Sequence, residues 1–128
     1  MSMEFRTLGR TGTLVSTLCL GTMTFGSGEG IWANIAGLQQ PDVDALMGAA
    51  MQKGVNFFDT ADVYSQGLSE TILGEAIKGR RDKVLISTKG TFRTGPGAND
   101  VGSSRFHLIE TIHASLRRLQ TDYIDLFQ

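Results

Sequence analysis

Hydrophobic and polar positions alternate along this chain with two different periods. Glu4-Phe5-Arg6-Thr7-Leu8 alternates as a half-buried strand does, Gly9-Arg10-Thr11-Gly12 supplies a turn, and Leu14-Val15 returns. That pattern predicts a small β-hairpin. Leu18 to Met23 reads as a short, mostly apolar strand, and a glycine-rich loop runs from Thr24 to Gln40. Pro41 stands where a helix can begin, because the N–H it lacks is not needed there. Val43, Leu46, Met47 and Ala50 follow at i, i+3, i+4 and i+7, one helical face, and Gly54 is placed to close that helix in the left-handed region. Val55 to Ala61 predicts a second strand. Ser69 is placed to cap a second helix, with Glu70 in its first turn, Ile72, Leu73, Ala76 and Ile77 as its buried face, and Gly79 at its end. Lys83 to Lys89 predicts a third strand, and a loop spans Gly90 to Ser103. Ser104 is placed to cap a third helix on which Ile109, Ile112, Leu116 and Leu119 line up, with Arg117 and Arg118 near the negative end of its dipole. Tyr123 to Gln128 predicts a fourth strand.

The order is therefore a hairpin, then β-α-β-α-β-α-β. Strands alternating with helices imply parallel strands joined by right-handed crossovers. Four strands and three helices suit either an open doubly wound sheet or part of a (β/α)8 barrel, and periodicity alone leaves both open. Composition adds bounds. Hydrophobic residues make up 41% of the 128 and charged residues 20%, an ordinary balance for a globular domain. The net charge of −1 gives no electrostatic reason to expect nucleic acid or an anionic membrane as partner. No apolar run approaches the roughly 20 residues of a membrane span, and Met1 to Arg10 lacks the apolar stretch of a secretory signal. The single cysteine, Cys19, cannot make an internal disulfide, so a cytoplasmic setting is expected, with Cys19 packed in the core as a small hydrophobe. No Cys/His spacing suggests a metal site.

In parallel β/α folds the functional face lies at the carboxyl ends of the strands. There stand Asp59, near the end of the second strand, and Lys89, the last residue of the third. Neighbouring strands lie about 4.8 Å apart, so the two can pair, and Tyr64, early in the following loop, can fold back over them. A phenol, with a pKa of about 10, is a poor acid near neutrality. An ammonium beside it favours the phenolate, and a carboxylate would hold that ammonium in place. Such a tyrosine can give a proton to a carbonyl oxygen as hydride arrives at carbon. On spacing alone, a structural Asp59–Lys89 ion pair with Tyr64 on the rim reads equally well.

Several segments together resemble the aldo-keto reductase family. Asn56-Phe57-Phe58-Asp59-Thr60-Ala61-Asp62-Val63-Tyr64 is similar to the segment carrying that family's catalytic Asp and Tyr, and Ser69-Glu70-Thr71-Ile72-Leu73-Gly74 to its continuation. Leu85-Ile86-Ser87-Thr88-Lys89 resembles the strand bearing its catalytic Lys. Ser115 to Leu126 (SLRRLQTDYIDL) resembles its third helix and fourth strand. The resemblance implies the N-terminal half of a (β/α)8 barrel, with residues 1–16 as a hairpin that closes the barrel bottom and residues 17–128 as β-α-β-α-β-α-β. It also implies NADPH-dependent reduction of aldehydes or ketones, with Asp59, Tyr64 and Lys89 in three of four catalytic places and Gly21, Thr22, Met23 and Asp59 beside the nicotinamide end of the cofactor. The fourth group in the family is a His shortly after the fourth strand, which this sequence does not reach. A full barrel needs about 250 residues. The 128 residues alone are therefore expected to be inactive, and to self-associate or require a C-terminal half. Two other readings remain: a Schiff-base lyase using Lys89, and a non-catalytic regulatory or binding subunit.

Weaker signals have plainer readings. Gly26-Ser27-Gly28-Glu29-Gly30 lacks the G-x-G-x-x-G spacing and reads as a mobile lid loop rather than a phosphate cradle. Lys78, Arg80, Arg81 and Lys83 suit the carboxyl end of the second helix. Phe25, Trp32 and Phe92 lie in the loops at the mouth, as a substrate wall or as ordinary packing. His107 and His113, on a helix, are expected to be solvent or packing residues.

Overall fold

A computed structural model describes residues 2–128; Met1, the first residue of the expected hairpin unit, lies outside them. The hairpin pairs β1 (Phe5–Thr7) with β2 (Leu14–Ser16), antiparallel. Four parallel strands follow: β3 (Cys19–Gly21), β4 (Phe57–Asp59), β5 (Leu85–Thr88) and β6 (Leu126–Phe127). They lie side by side in chain order. The crossovers carry α2 (Gln40–Gln52), α3 (Leu68–Ala76) and α4 (Arg105–Leu119). This is the α/β architecture the alternation predicts, with shorter strands.

The period of two sorts the sheet. Phe58 and Ile86 are fully buried on the helix side, where they meet Val43, Met47, Leu73, Ile77 and Leu119. Phe57, Asp59, Leu85 and Ser87 alternate onto the other side, by the register that sets Asp59 opposite Ser87 and Phe57 opposite Leu85. There the hairpin approaches, and Leu8, Thr11 and Thr13 enclose a cavity of about 170 Å³ with Phe57, Leu85 and Leu126. Asn56 pins the hairpin: its Oδ1 accepts from the Ser16 N–H at 2.7 Å and its side-chain amide donates to the Leu14 carbonyl. On this same side Cys19, paired in register with Phe57, is exposed at the outer strand of the sheet rather than packed in the core as expected.

Several helix details depart from periodicity. Of the expected face of α2, Val43 and Met47 are fully buried but Leu46 is 40% exposed, on the edge away from the sheet. On α4 the buried face is His107, Thr111, Ser115 and Leu119, not the isoleucine row. Small and polar side chains sit on the face of α4 that packs closely, with Thr111 against Gly90 and the end of the helix against Gly74 of α3. A Cβ at Gly74 would lie 2.7 Å from the Arg118 carbonyl oxygen, so the contact requires glycine. Ile112 and Leu116 are left half-buried on the far side. Ser104 caps α4 as expected, its Oγ accepting from the His107 N–H at 3.2 Å. Ser69 does not cap α3. Gly67, at φ 94°, holds the N-cap position instead, and Ser69 sits inside the first turn. The glycine-rich loop contains α1 (Trp32–Ile35) and a parallel bridge between Phe25 and Leu38, and Phe25 is fully buried.

Arg80 and Arg81 divide the work of the basic run. Arg80 donates from Nε and Nη2 to the Ala76 carbonyl, closing the end of α3 as expected. Arg81 instead crosses to β6, donating to the Tyr123 carbonyl and the Asp125 carboxylate while its guanidinium stacks 3.8 Å from the Tyr123 ring centroid.

Candidate active site

The carboxyl ends of β3, β4 and β5 meet at one mouth. Lys89, one residue past β5, donates from Nζ to Asp59 Oδ2 at 2.6 Å and to the Thr60 carbonyl at 2.8 Å. The same nitrogen lies 3.4 Å from Tyr64 Oη and 5.1 Å from the Tyr64 ring centroid. The three expected residues are thus gathered around one ammonium, whose three donors all have partners. About 32% of the Lys89 side chain and 27% of the Asp59 side chain remain exposed, so the group is reachable from the mouth. Gln128 lies across the other side, its amide 2.7 Å from Ser87 Oγ and 3.5 Å from Asp59 Oδ1.

Tyr64 is brought here by a tight turn. Ser65 and Gln66 both take positive φ, 48° and 56°, and Gly67 a third, which reverses the chain between β4 and α3. Ser65 Oγ donates to the Phe25 carbonyl at 2.9 Å, fastening that turn to the loop after β3. The Trp32 ring meets Tyr64 edge-on with centroids 6.0 Å apart. Trp32 therefore walls the site, whereas Phe25 belongs to the core and Phe92 is 69% exposed.

At the end of β3, Gly21 and Met23 are exposed, and a Cβ at Gly21 would meet nothing within 4 Å. That opening beside Asp59 suits a flat ring lying on the strand end. Thr22 is different. It is fully buried, its N–H donates to the Asp59 carbonyl at 2.9 Å, and its carbonyl accepts from the Phe25 N–H and the Ser69 hydroxyl. Its side chain is turned away from the mouth.

Beneath the mouth lies a charged group the sequence did not reveal. Glu70 is fully buried, and its two oxygens accept from Arg118 Nε and Thr88 Oγ1, each at 2.6 Å. Asp62 stands beside it, 4% exposed, with Oδ2 lacking any hydrogen bond among the described residues. Burial first, then the nearby Glu70 charge, push the Asp62 carboxyl up to about 6; Arg118, a backbone N–H and His107 act against them. Asp62, Trp32, Arg93 and Arg118 line a cavity of about 410 Å³ next to Tyr64. His107 is buried as a packing residue, within 3.4 Å of the Thr111 hydroxyl, and His113 is exposed.

The folded Asp62 carboxyl titrates above the ordinary 3.8, so between about 4 and 6 the folded state holds more protons than the unfolded one. Stability is then lost as pH rises through that window. Asp62→Asn is expected to remove this loss and to be more stable than the parent above pH 6, by up to about 3 kcal/mol. Denaturation at pH 4 and pH 7 checks it; an equal difference between variant and parent at both pH values would contradict the assignment.

The fold is a parallel β/α sheet with a polar group gathered at its carboxyl-end mouth, and comparison with known proteins gives its family. The family model described as "Aldo/keto reductase family" matches residues 17–128. The chain belongs to the aldo/keto reductase family, a family of oxidoreductases. It is 41% identical to a protein of Arabidopsis thaliana and to one of Oryza sativa subsp. japonica, each described as a probable voltage-gated potassium channel subunit beta. Each match covers 97% of this chain and 36% of the relative. A solved aldo-keto reductase from Bacillus halodurans, in a holo form, superposes with a TM-score of 0.79 at 36% identity, over 98% of this chain and 39% of that one. The four-stranded sheet thus corresponds to part of an aldo-keto reductase barrel, and the chain spans little more than a third of these relatives.

Proposed function

We propose that the complete protein reduces aldehydes or ketones with NADPH, that Tyr64 is the proton donor, and that Lys89 and Asp59 tune it. The single observation that carries this reading is the Lys89 ammonium, held by Asp59 and the Thr60 carbonyl with Tyr64 Oη 3.4 Å away. The phenol oxygen accepts from the ammonium, which leaves its own proton free to point at a substrate oxygen. When that proton moves, the developing phenolate is met by a positive charge already in place, with no reorganisation needed. Asp59 holds the ammonium in place. Gly21 and Met23, open on the strand end beside Asp59, offer the surface on which a nicotinamide ring fits. NADPH, when bound, supplies the hydride. Residues 1–16 serve as the hairpin unit that caps the barrel bottom, and residues 17–128 as the β-α-β-α-β-α-β half.

The same geometry disfavours a Schiff-base lysine. A nucleophilic amine must be neutral with a free lone pair, whereas Lys89 Nζ is engaged with three acceptors. A regulatory role has one footing, the description of the plant relatives as channel subunits, and it need not exclude reduction. The test is an assay of the complete protein with NADPH and a panel of aldehydes and ketones. Aldehyde-dependent NADPH oxidation is expected; none across the panel would overturn the reading.

A further inference from the structure

Three hydroxyls meet behind the active mouth, all on fully buried residues: Thr22, Thr60 and Ser69. Ser69 is at their centre. Its Oγ donates to the Thr22 carbonyl at 2.7 Å, and it lies 2.8 Å from Thr22 Oγ1 and 3.4 Å from Thr60 Oγ1. A hydroxyl has one proton to give and two lone pairs to fill. The proton goes to the Thr22 carbonyl, and the two threonine hydroxyls fill the lone pairs. The arrangement is complete, and it is not a cap, since Ser69 lies inside the first turn of α3.

Each threonine is one step from the chemistry. The Thr60 carbonyl accepts from Lys89 Nζ at 2.8 Å and so helps to fix the ammonium. Thr22 follows Gly21, and its N–H donates to the Asp59 carbonyl. We infer that Ser69 is a positioning residue: its hydroxyl locks the end of β3, on the hydride side, to the end of β4, on the proton side, and so sets the spacing of Lys89 and Tyr64 from the place of the nicotinamide. A helix side chain does this because Ser69, in the first turn of α3, reaches residues at both strand ends. The buried hydroxyls cannot fall back on water, so losing the centre frees both ends at once. The inference rests on the reductase reading above.

The test uses the complete protein with NADPH and benzaldehyde. Ser69→Ala is expected to lower kcat by about 10- to 10²-fold, as misplacement by a fraction of an ångström to about 1 Å does, and to displace the pH profile of kcat, because the ammonium–phenol spacing sets where that profile turns. NADPH affinity, read by fluorescence titration, is expected to change little. A variant that is merely less stable, with the parent's kcat and pH profile, would overturn the inference. If Ser69→Ala does not fold, Thr22→Val keeps the volume and removes one hydroxyl; the same displacement, smaller, is expected, and the parent's profile would overturn it. The parent and Tyr64→Phe are run alongside. A parent without benzaldehyde-dependent turnover sinks the reductase reading and this inference together. An active parent, an inactive Tyr64→Phe and an unchanged Ser69→Ala sink the inference alone.

Discussion

Tyr64→Phe in the complete protein is expected to lower the rate of carbonyl reduction by about 10²- to 10⁴-fold, the usual worth of a positioned proton donor. The substitution removes one oxygen and keeps the ring. The edge-on contact with Trp32, at 6.0 Å between centroids, and the turn that carries residue 64 depend on the ring and on Ser65, so both are expected to survive. Lys89 also keeps its bonds to Asp59 and the Thr60 carbonyl. The loss is therefore expected in kcat, with NADPH binding close to that of the parent. Steady-state kinetics and an NADPH titration on the same preparation check this. Unchanged turnover would remove the tyrosine from its role and return the trio to a structural ion pair.

The second large effect is on stability. Arg118→Leu is expected to cost about 3–5 kcal/mol, because it leaves the Glu70 carboxylate buried without its cation. Glu70 is fully buried while the Arg118 side chain is 28% exposed, so the pair is not a surface bridge of small value. Thr88 still donates to the other Glu70 oxygen, and that neutral bond does not replace a guanidinium. Asp62, already short of a partner, stands in the same group and worsens the imbalance. A fall in melting temperature on the order of 10 °C is the expected reading. Exchanging both residues, Glu70→Gln with Arg118→Leu, is expected to recover part of the loss, since no charge is then stranded. A fall no larger than that of an exposed arginine substitution would show that Glu70 is not the buried charge described.

Much of this site was legible in the residues themselves. Alternation of strand and helix, with Asp59 and Lys89 at strand ends and Tyr64 just beyond, is enough to place the three together. What stayed hidden depends on partners distant in sequence. Glu70 and Arg118 are separated by 48 positions and read as a helix-start acid and a helix-end base, each with a local role. Ser69 read as a cap because serine is a good one; the positive φ of Gly67, which takes that place, is a backbone fact no side-chain pattern displays. On α4, the hydrophobic period pointed to the isoleucines. The observed buried face is set by close approaches that periodicity does not show: Gly74 meets the backbone of Arg118 and Leu119, and Gly90 meets Thr111. Cys19 is exposed although it pairs in register with Phe57, and a lone small residue in a strand does not show in sequence which side of the sheet is left open.

In the proposed reaction NADPH gives hydride to a carbonyl carbon while Tyr64, beside Lys89, gives a proton to its oxygen. Incubating the complete protein with benzaldehyde and NADPH carrying deuterium at the transferable position, then analysing the alcohol by mass spectrometry, tests it most directly. The account predicts one deuterium on the carbinol carbon for each NADPH consumed. Benzaldehyde recovered unreduced, or trapped by borohydride on Lys89, would contradict it.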